Sequence, residues 1–595
     1  MIRPLLVCLF VPYMAVNAVN VLVFLHGTTQ FERSSLEYLA MQLGARHHGT
    51  ASFKGILIPE EPRLVKPKLH MVREMTLKDM ATTELYEPLV EIGNEIPWRV
   101  DQDQIDHQLP YWRAYNHSCN LILNSNLMDK LKKEKFDVAI VYAGNPCNLA
   151  IVHALAMPFI YYDLTGFSDE TAVAAGVPLS VGVPSSVSRF ARPLSWTERF
   201  INGALMLKEY IAQSGCSRLA SLVSERHRHM DGPISKMFRE DYELKKRFPF
   251  FPDVNEIKRN AELYFVNSDV LIEHPRSLPP NVIYVGGMHI DHVKPLFSPW
   301  NTTMASAADG VIVCSMGTIA NSSAMPMSMS RAFLRAFGKL PKNRIYWRTG
   351  RSIGLDGIEM KEEVPAHVNI TSYLPQNDLL AAKETRLFIT NGGMNGIMEA
   401  LAHGIPILGI PLYGANYANL RKIEARGLGV VLDKNDVTEK SLLKAIRELL
   451  DNPKYKLAAK EISRSFKDRP VSPFETVLYW IEYVGRHHGA ANVKPDADAK
   501  GNLFTLLNLD VIVVLMSLVA AWSLLVAKVV LAICARCTGR RQAGTVVGAT
   551  PEKSKKNTSS TSSSTKAVDN TLSDKDQSAD NAARKRSSAQ TKSTK

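Results

Sequence analysis

The run R-L-F-I-T-N-G-G-M-N-G-I-M-E-A-L-A-H-G, Arg386 to Gly404, constrains the fold more than any other stretch of the chain. Its apolar start reads as a strand ending at Thr390. A glycine pair, Gly392 and Gly393, follows where backbone must turn tightly or approach a ligand closely. A helix then begins near Asn395 and stops at Gly404, a residue type suited to the position just past a helix end. Strand, glycine turn and helix N-terminus in that order form an anion site. Free backbone N–H groups and the positive end of the helix dipole suit a diphosphate. Asn395 and Glu399 are four residues apart and share one helix face, and a carboxylate there can accept from ribose hydroxyls. A second glycine turn, Met316–Gly317–Thr318, also follows an apolar run.

The rest of the chain repeats this alternation. Val19–Leu25, Phe136–Val141 and Phe159–Tyr162 read as strands; apolar periodicity at Leu36, Leu39, Ala40 and Leu43, and again over Leu149–Ala156, reads as helix. The pattern restarts with strands at Gly310–Ser315, Arg344–Arg348, Leu387–Thr390, Ile405–Ile410 and Val430–Leu432, and a helix over Met327–Leu340. Alternating strands and helices imply an α/β fold with parallel sheets. The Pro- and Gly-rich residues 273–292 predict no regular element and divide the chain. The expected organisation is a domain over 19–272, a linker over 273–292 and a second domain over 293–490. These are two doubly wound domains facing each other across a cleft.

Both ends carry membrane signals. Arg3, the apolar Pro4–Met14 and the small residues Ala15 and Ala18 predict a signal peptide over 1–18. Residues 491–508 read as a juxtamembrane segment, and 509–535 as a transmembrane helix followed by Arg536, Arg540 and Arg541, the positive-inside pattern. The expectation is a single-pass type I protein with its bulk in the lumen of the secretory pathway. The Ser/Thr/Lys-rich 536–595 reads as a disordered cytosolic tail. Of the net charge of +13, the tail supplies 13 Lys/Arg against 5 Asp/Glu, so the basicity gives no case for nucleic acid. Four sequons, Asn116, Asn301, Asn321 and Asn369, are expected glycosylation sites. The seven cysteines are too few for a disulfide scaffold and cannot be paired from sequence. Cys534–Cys537, at the membrane edge, fits lipidation or plain thiols rather than a metal, and no metal site is predicted.

Several runs resemble the UDP-glucuronosyltransferase family: Y-L-P-Q-N-D-L-L (Tyr373–Leu380), N-G-G-M-N-G-I-M-E-A, G-I-P-I-L-G-I-P-L-Y (Gly404–Tyr413), V-G-G at Val285–Gly287, R-P-V-S-P (Arg469–Pro473), W-I-E-Y-V (Trp480–Val484) and R-H-H-G-A (Arg486–Ala490). The resemblance implies the GT-B fold, two Rossmann-like domains, plus the C-terminal transmembrane helix. It implies inverting transfer of glucuronic acid or glucose from a UDP-sugar, the donor substrate, to a small lipophilic acceptor, with no cofactor. Homo-oligomerisation stays open. The implied nucleotide contacts are Gly317, Thr318, Tyr373, Gln376, Asn391, Gly393, Asn395 and Glu399. Gln376 meets uracil and Tyr373, standing in for the family's Trp, stacks on it. The sequence also departs from the family. The family's phosphate-binding His is Asn391 here, and its sugar-holding Asp-Gln pair aligns with Ala415 and Asn416, leaving Asn416 as the sugar-binding candidate. The catalytic His aligns with Glu32 or Gln30, with His26 several residues early, and its partner Asp aligns with Tyr142. Glu32 as base with Tyr142 beside it is one expectation; a fold-mate that binds UDP or a lipophile without transfer is the alternative.

Overall fold

The computed structural model describes residues 18–25, 30–55, 71–99, 108–178, 180–290, 293–305, 307–349, 364–495 and 508–542, with the side chains of 30–32 and 537–542 outside that description. The expected signal peptide, apart from its last residue, and nearly all of the cytosolic tail lie outside the described residues.

Among the described residues, thirteen strands form two parallel sheets. The first holds β1 (Asn20–Phe24), β2 (Gly49–Gly55), β3 (Arg73–Leu77), β4 (Val138–Tyr142), β5 (Phe159–Asp163), β6 (Leu263–Val266) and β7 (Val282–Tyr284), ordered β3-β2-β1-β4-β5-β6-β7. The second holds β8 (Val311–Ser315), β9 (Arg344–Arg348), β10 (Val368–Thr371), β11 (Thr385–Thr390), β12 (Ile407–Gly409) and β13 (Gly429–Val431), ordered β10-β9-β8-β11-β12-β13. Every pairing is parallel, Val21 facing Val138 in one sheet and Thr390 facing Ser315 in the other. Parallel strands covered by helices on both faces read as continuous apolar runs. V-A-I-V-Y in β4 and V-I-V-C-S in β8 are buried throughout.

In each sheet the strand order reverses at one place, between β1 and β4 and between β8 and β11. Crevices at such switch points, beyond the carboxyl ends of the strands, are where open α/β sheets bind ligands. The stretch 273–292, expected to carry no regular element, contains β7. This strand is three residues long and, among the described residues, sits at the sheet edge and pairs with β6 alone, by Tyr264↔Val282 through Val266↔Tyr284. So short an edge strand leaves no periodic signal.

The chain crosses between the sheets more than once. The helix Pro473–His487 returns to the first sheet, burying Val477, Ile481 and Val484 in that core. Arg46 pairs with Glu475 at 2.5 Å on the same helix. A disulfide, Cys119–Cys147, ties the helix Leu109–Leu123 to the start of the helix Pro146–Ala154. Lys422 Nζ reaches Glu273 at 2.6 Å, and Trp98 Nε1 donates to the Asn321 carbonyl at 3.0 Å. Taken by itself, the helix Leu509–Gln542 contains a 28-residue segment, Leu509–Arg536, of mean hydropathy 2.4, long and apolar enough to cross a membrane.

Candidate functional site

At the switch point of the second sheet, β8 ends at Ser315 and β11 at Thr390. Both strands run into glycine turns. Gly317 has φ +80°, and a Cβ there would come within 3.1 Å of the Asn391 side-chain amide. Gly392 has φ +91°, and a Cβ there would sit 2.5 Å from Leu420 Cγ. Only glycine relieves both the backbone and the crowding. Gly393 caps the helix Met394–His403, which ends at Gly404 in the left-handed region. The first-turn amides of that helix have no partner within it, and its residues Asn395 and Gly396, with the cap Gly393, line the crevice.

The crevice is a cavity of about 550 Å³, inside the range of about 300–1,000 Å³ common for small-ligand sites. Its wall includes all eight residues expected to meet a nucleotide: Gly317, Thr318, Tyr373, Gln376, Asn391, Gly393, Asn395 and Glu399. Gln376 Nε2 donates to Glu399 Oε2 at 2.6 Å. Tyr373 is 48% exposed and lines the cavity, and a tyrosine ring offers an apolar face for a planar base. Asn391 is buried; its Oδ1 accepts from the Gly393 amide at 3.3 Å and its Nδ2 donates to the Tyr413 hydroxyl at 3.4 Å. Burial pushes the Tyr413 phenol well above its usual range, so it stays neutral.

The opposite wall comes from the first helix, Gln30–Ala45, through Ser34, Ser35, Glu37 and Tyr38. Asn395 bridges the two sides. Its Nδ2 donates to Ser35 Oγ at 3.0 Å, and its Oδ1 accepts from Asn267 Nδ2 at 2.7 Å. Arg348, at the end of β9, also lines the cavity and donates from Nη1 to the Gly317 carbonyl at 2.9 Å. Ser35, Arg348, Lys294 and His289 were missed from the sequence. His289 alone carried a local signal, two residues after the V-G-G turn.

The remaining expected residues lie elsewhere. Asn416 opens the helix Asn416–Ala425, is buried, and accepts from Asn391 Nδ2 at 3.5 Å, behind the wall rather than on it. Tyr142 ends β4, buried beside Tyr162 of β5, and is not among the residues lining this cavity. Glu32 falls in the first turn of the first helix, with its side chain outside the described residues; His26 lies outside them altogether. Of the sequons, Asn301 is exposed. Asn116 donates to the His229 carbonyl at 2.6 Å and Asn321 to Asn94 Oδ1 at 2.8 Å, while Asn369 is half-buried in β10.

Solved structures with this arrangement include the kitacinnamycin glycosyltransferase (TM-score 0.52, 15% identity, 78% of this chain and 99% of that one) and the calicheamicin glycosyltransferase CalG4 (TM-score 0.51, 14% identity, 79% and 99%). At that identity they show the GT-B fold alone. Among curated proteins, UDP-glucuronosyltransferase 2C1 of Oryctolagus cuniculus is 30% identical over 455 residues, 76% of this chain and 84% of that one. UDP-glucosyltransferase 2 of Dactylopius coccus is 36% identical over 275 residues, 46% of this chain and 52% of that one. The 2-hydroxyacylsphingosine 1-beta-galactosyltransferase of Mus musculus is 30% identical over 396 residues, 66% of each chain. Residues 99–543 match the family described as "UDP-glucoronosyl and UDP-glucosyl transferase". That match spans most of the chain, including the whole second sheet and its switch point but not β1–β3 or the first helix, and the chain belongs to this family of UDP-glycosyltransferases.

Proposed function

We propose that this chain transfers a hexosyl group, glucuronic acid or glucose, from a UDP-sugar to a small lipophilic acceptor with inversion at the anomeric carbon. Gln376 and Tyr373 take the uracil, Glu399 the ribose, and Thr318, Gly393 and Asn395 the diphosphate. Asn391 fixes the glycine turn from behind. The acceptor enters from the side of the first sheet, and the second sheet holds the UDP-sugar; the helix Pro473–His487, inside the expected 293–490 domain, packs with the first sheet. The protein works as a type I membrane protein with this body in the lumen.

The observation that carries the reading is the convergence of eight expected nucleotide residues on one cavity at a switch point. The first helix, which bears Glu32 in its opening turn, forms the facing wall. Inverting transfer needs the acceptor hydroxyl deprotonated as it attacks, and a positioned base contributes about 10²–10⁴-fold. Glu32 supplies that base, oriented by Tyr142.

A second reading, binding of UDP or a lipophile without transfer, is favoured by one observation. Asn416, at the sugar-holding position, faces Asn391 instead of the cavity. Transfer assays with UDP-glucuronic acid and UDP-glucose on phenol and amine panels separate the two. Product formation that falls at least about 100-fold in Glu32→Gln supports transfer with Glu32 as base. UDP binding without product from any pair supports the second reading.

A further inference from the structure

His289 follows the V-G-G turn and enters the cavity wall with its side chain only 11% exposed. The turn holds it firmly. A Cβ on Gly286 would meet the Ser268 carbonyl oxygen at 2.5 Å, and one on Gly287, with φ +89°, would meet the Phe466 ring at 2.7 Å. Among the described residues, neither Nδ1 nor Nε2 of His289 has a hydrogen-bond partner. Native structures leave few buried polar atoms unpaired, and each one calls for an explanation.

The nearest carboxylate is Glu399, with Oε1 3.6 Å from His289 Nε2, too long for a hydrogen bond. The other oxygen of Glu399 is already engaged by Gln376 Nε2 at 2.6 Å. One carboxylate oxygen and one imidazole therefore face the same space without closing on each other. A carboxylate only accepts; an imidazole nitrogen bearing its proton donates. A hydroxyl satisfies both, donating to Glu399 while its oxygen accepts from His289. A phosphate beside Glu399 would set like charges together.

We propose that His289 is a substrate-binding residue that contacts a ribose hydroxyl of the bound nucleotide, completes the grip of Glu399 on the diol, and sets selectivity for ribonucleotides over deoxyribonucleotides. This rests on the reading of the cavity as a UDP-sugar site. His289 belongs to a different chain segment from Gln376 and Glu399, so the diol is held from two sides.

The test is calorimetric titration of the detergent-solubilised full chain with UDP, 2′-deoxy-UDP and 3′-deoxy-UDP. Wild type, His289→Ala and His289→Asn are compared, with unfolding temperature measured for each without ligand. Wild type should favour UDP over at least one deoxynucleotide by about tenfold, the worth of one well-made hydrogen bond. His289→Ala should lose about tenfold for UDP and little for that deoxynucleotide, so the ratio collapses toward one. His289→Asn, which keeps a donor, should restore part of the ratio, and carries the comparison if the alanine variant does not fold. An unchanged ratio, or equal losses for all three nucleotides, overturns the assignment while leaving the UDP site standing. A wild-type chain that binds none of them overturns both.

Discussion

Asn395 Nδ2 donates to Ser35 Oγ at 3.0 Å, joining the start of the helix Met394–His403 to the first helix of the other sheet. The same amide is the one assigned to the diphosphate. That bond ties the two halves together, and on the proposed role of Asn395 a bound diphosphate competes with Ser35 for the same amide. The proposed donor contact and the contact between the two sheets thus share one side chain.

Two substitutions separate these roles. Asn395→Ala should weaken UDP binding by about 1.5–3 kcal/mol, the range for hydrogen bonds to charged groups. Ser35→Ala, which removes the competing acceptor, should leave UDP binding equal or tighter, by no more than about 1.5 kcal/mol. Calorimetry on the two variants checks both. A weaker affinity in Ser35→Ala would place Ser35 on the ligand instead.

The glycine turn carries a stability prediction. Gly392 combines φ +91° with a Cβ position 2.5 Å from Leu420 Cγ and 3.1 Å from the Asn416 carbonyl oxygen. Gly392→Ala should cost about 1–3 kcal/mol of folding stability, read as a lower unfolding temperature. Gly414, with φ +50° and nothing within 4 Å of its Cβ position, should lose less in Gly414→Ala.

Glu209, in the helix Trp196–Ala212, gives a pH dependence. Burial, reinforced by the nearby Glu170 charge and opposed by the Gln213 hydrogen bond at 2.8 Å, pushes its carboxyl up from 4.5 to about 7. A carboxyl that is harder to ionise when folded stabilises the fold fully only below about 4.5. That contribution is lost as pH rises through about 7. Glu209→Gln should remove this slope. The difference in unfolding temperature, variant minus wild type, should grow in the variant's favour between pH 5 and pH 8.

In a secretory host, glycan should concentrate on Asn301. That residue is exposed, whereas the amides of Asn116 and Asn321 are engaged with His229 and Asn94. Asn301→Gln should abolish most of the mobility shift released by endoglycosidase; Asn116→Gln and Asn321→Gln should leave it in place.

The parts of the fold that announced themselves in sequence were those whose signal is local. β8 and β11 are unbroken apolar runs closed by glycine turns, and the helix Met394–His403 has its start and stop written within ten residues. β2 hides because its buried strand reads G-T-A-S-F-K-G, polar residues made strand by the neighbours on either side. The nucleotide residues were legible for the same reason, since most sit in two contiguous runs. Ser35 and Arg348 were not, because no spacing along the chain reports that the first helix and the end of β9 meet the same cavity. The Cys119–Cys147 bridge likewise depends on two helices lying side by side.

On the proposed function, the cavity between β8, β11 and the first helix binds the nucleotide of a sugar donor. Titrating UDP into the solubilised full chain tests it most directly, with wild type set against Glu399→Ala. Saturable binding below millimolar concentration, weakened at least about tenfold in the variant, is the predicted result. No binding by wild type up to millimolar UDP, or binding that Glu399→Ala leaves unchanged, would contradict it.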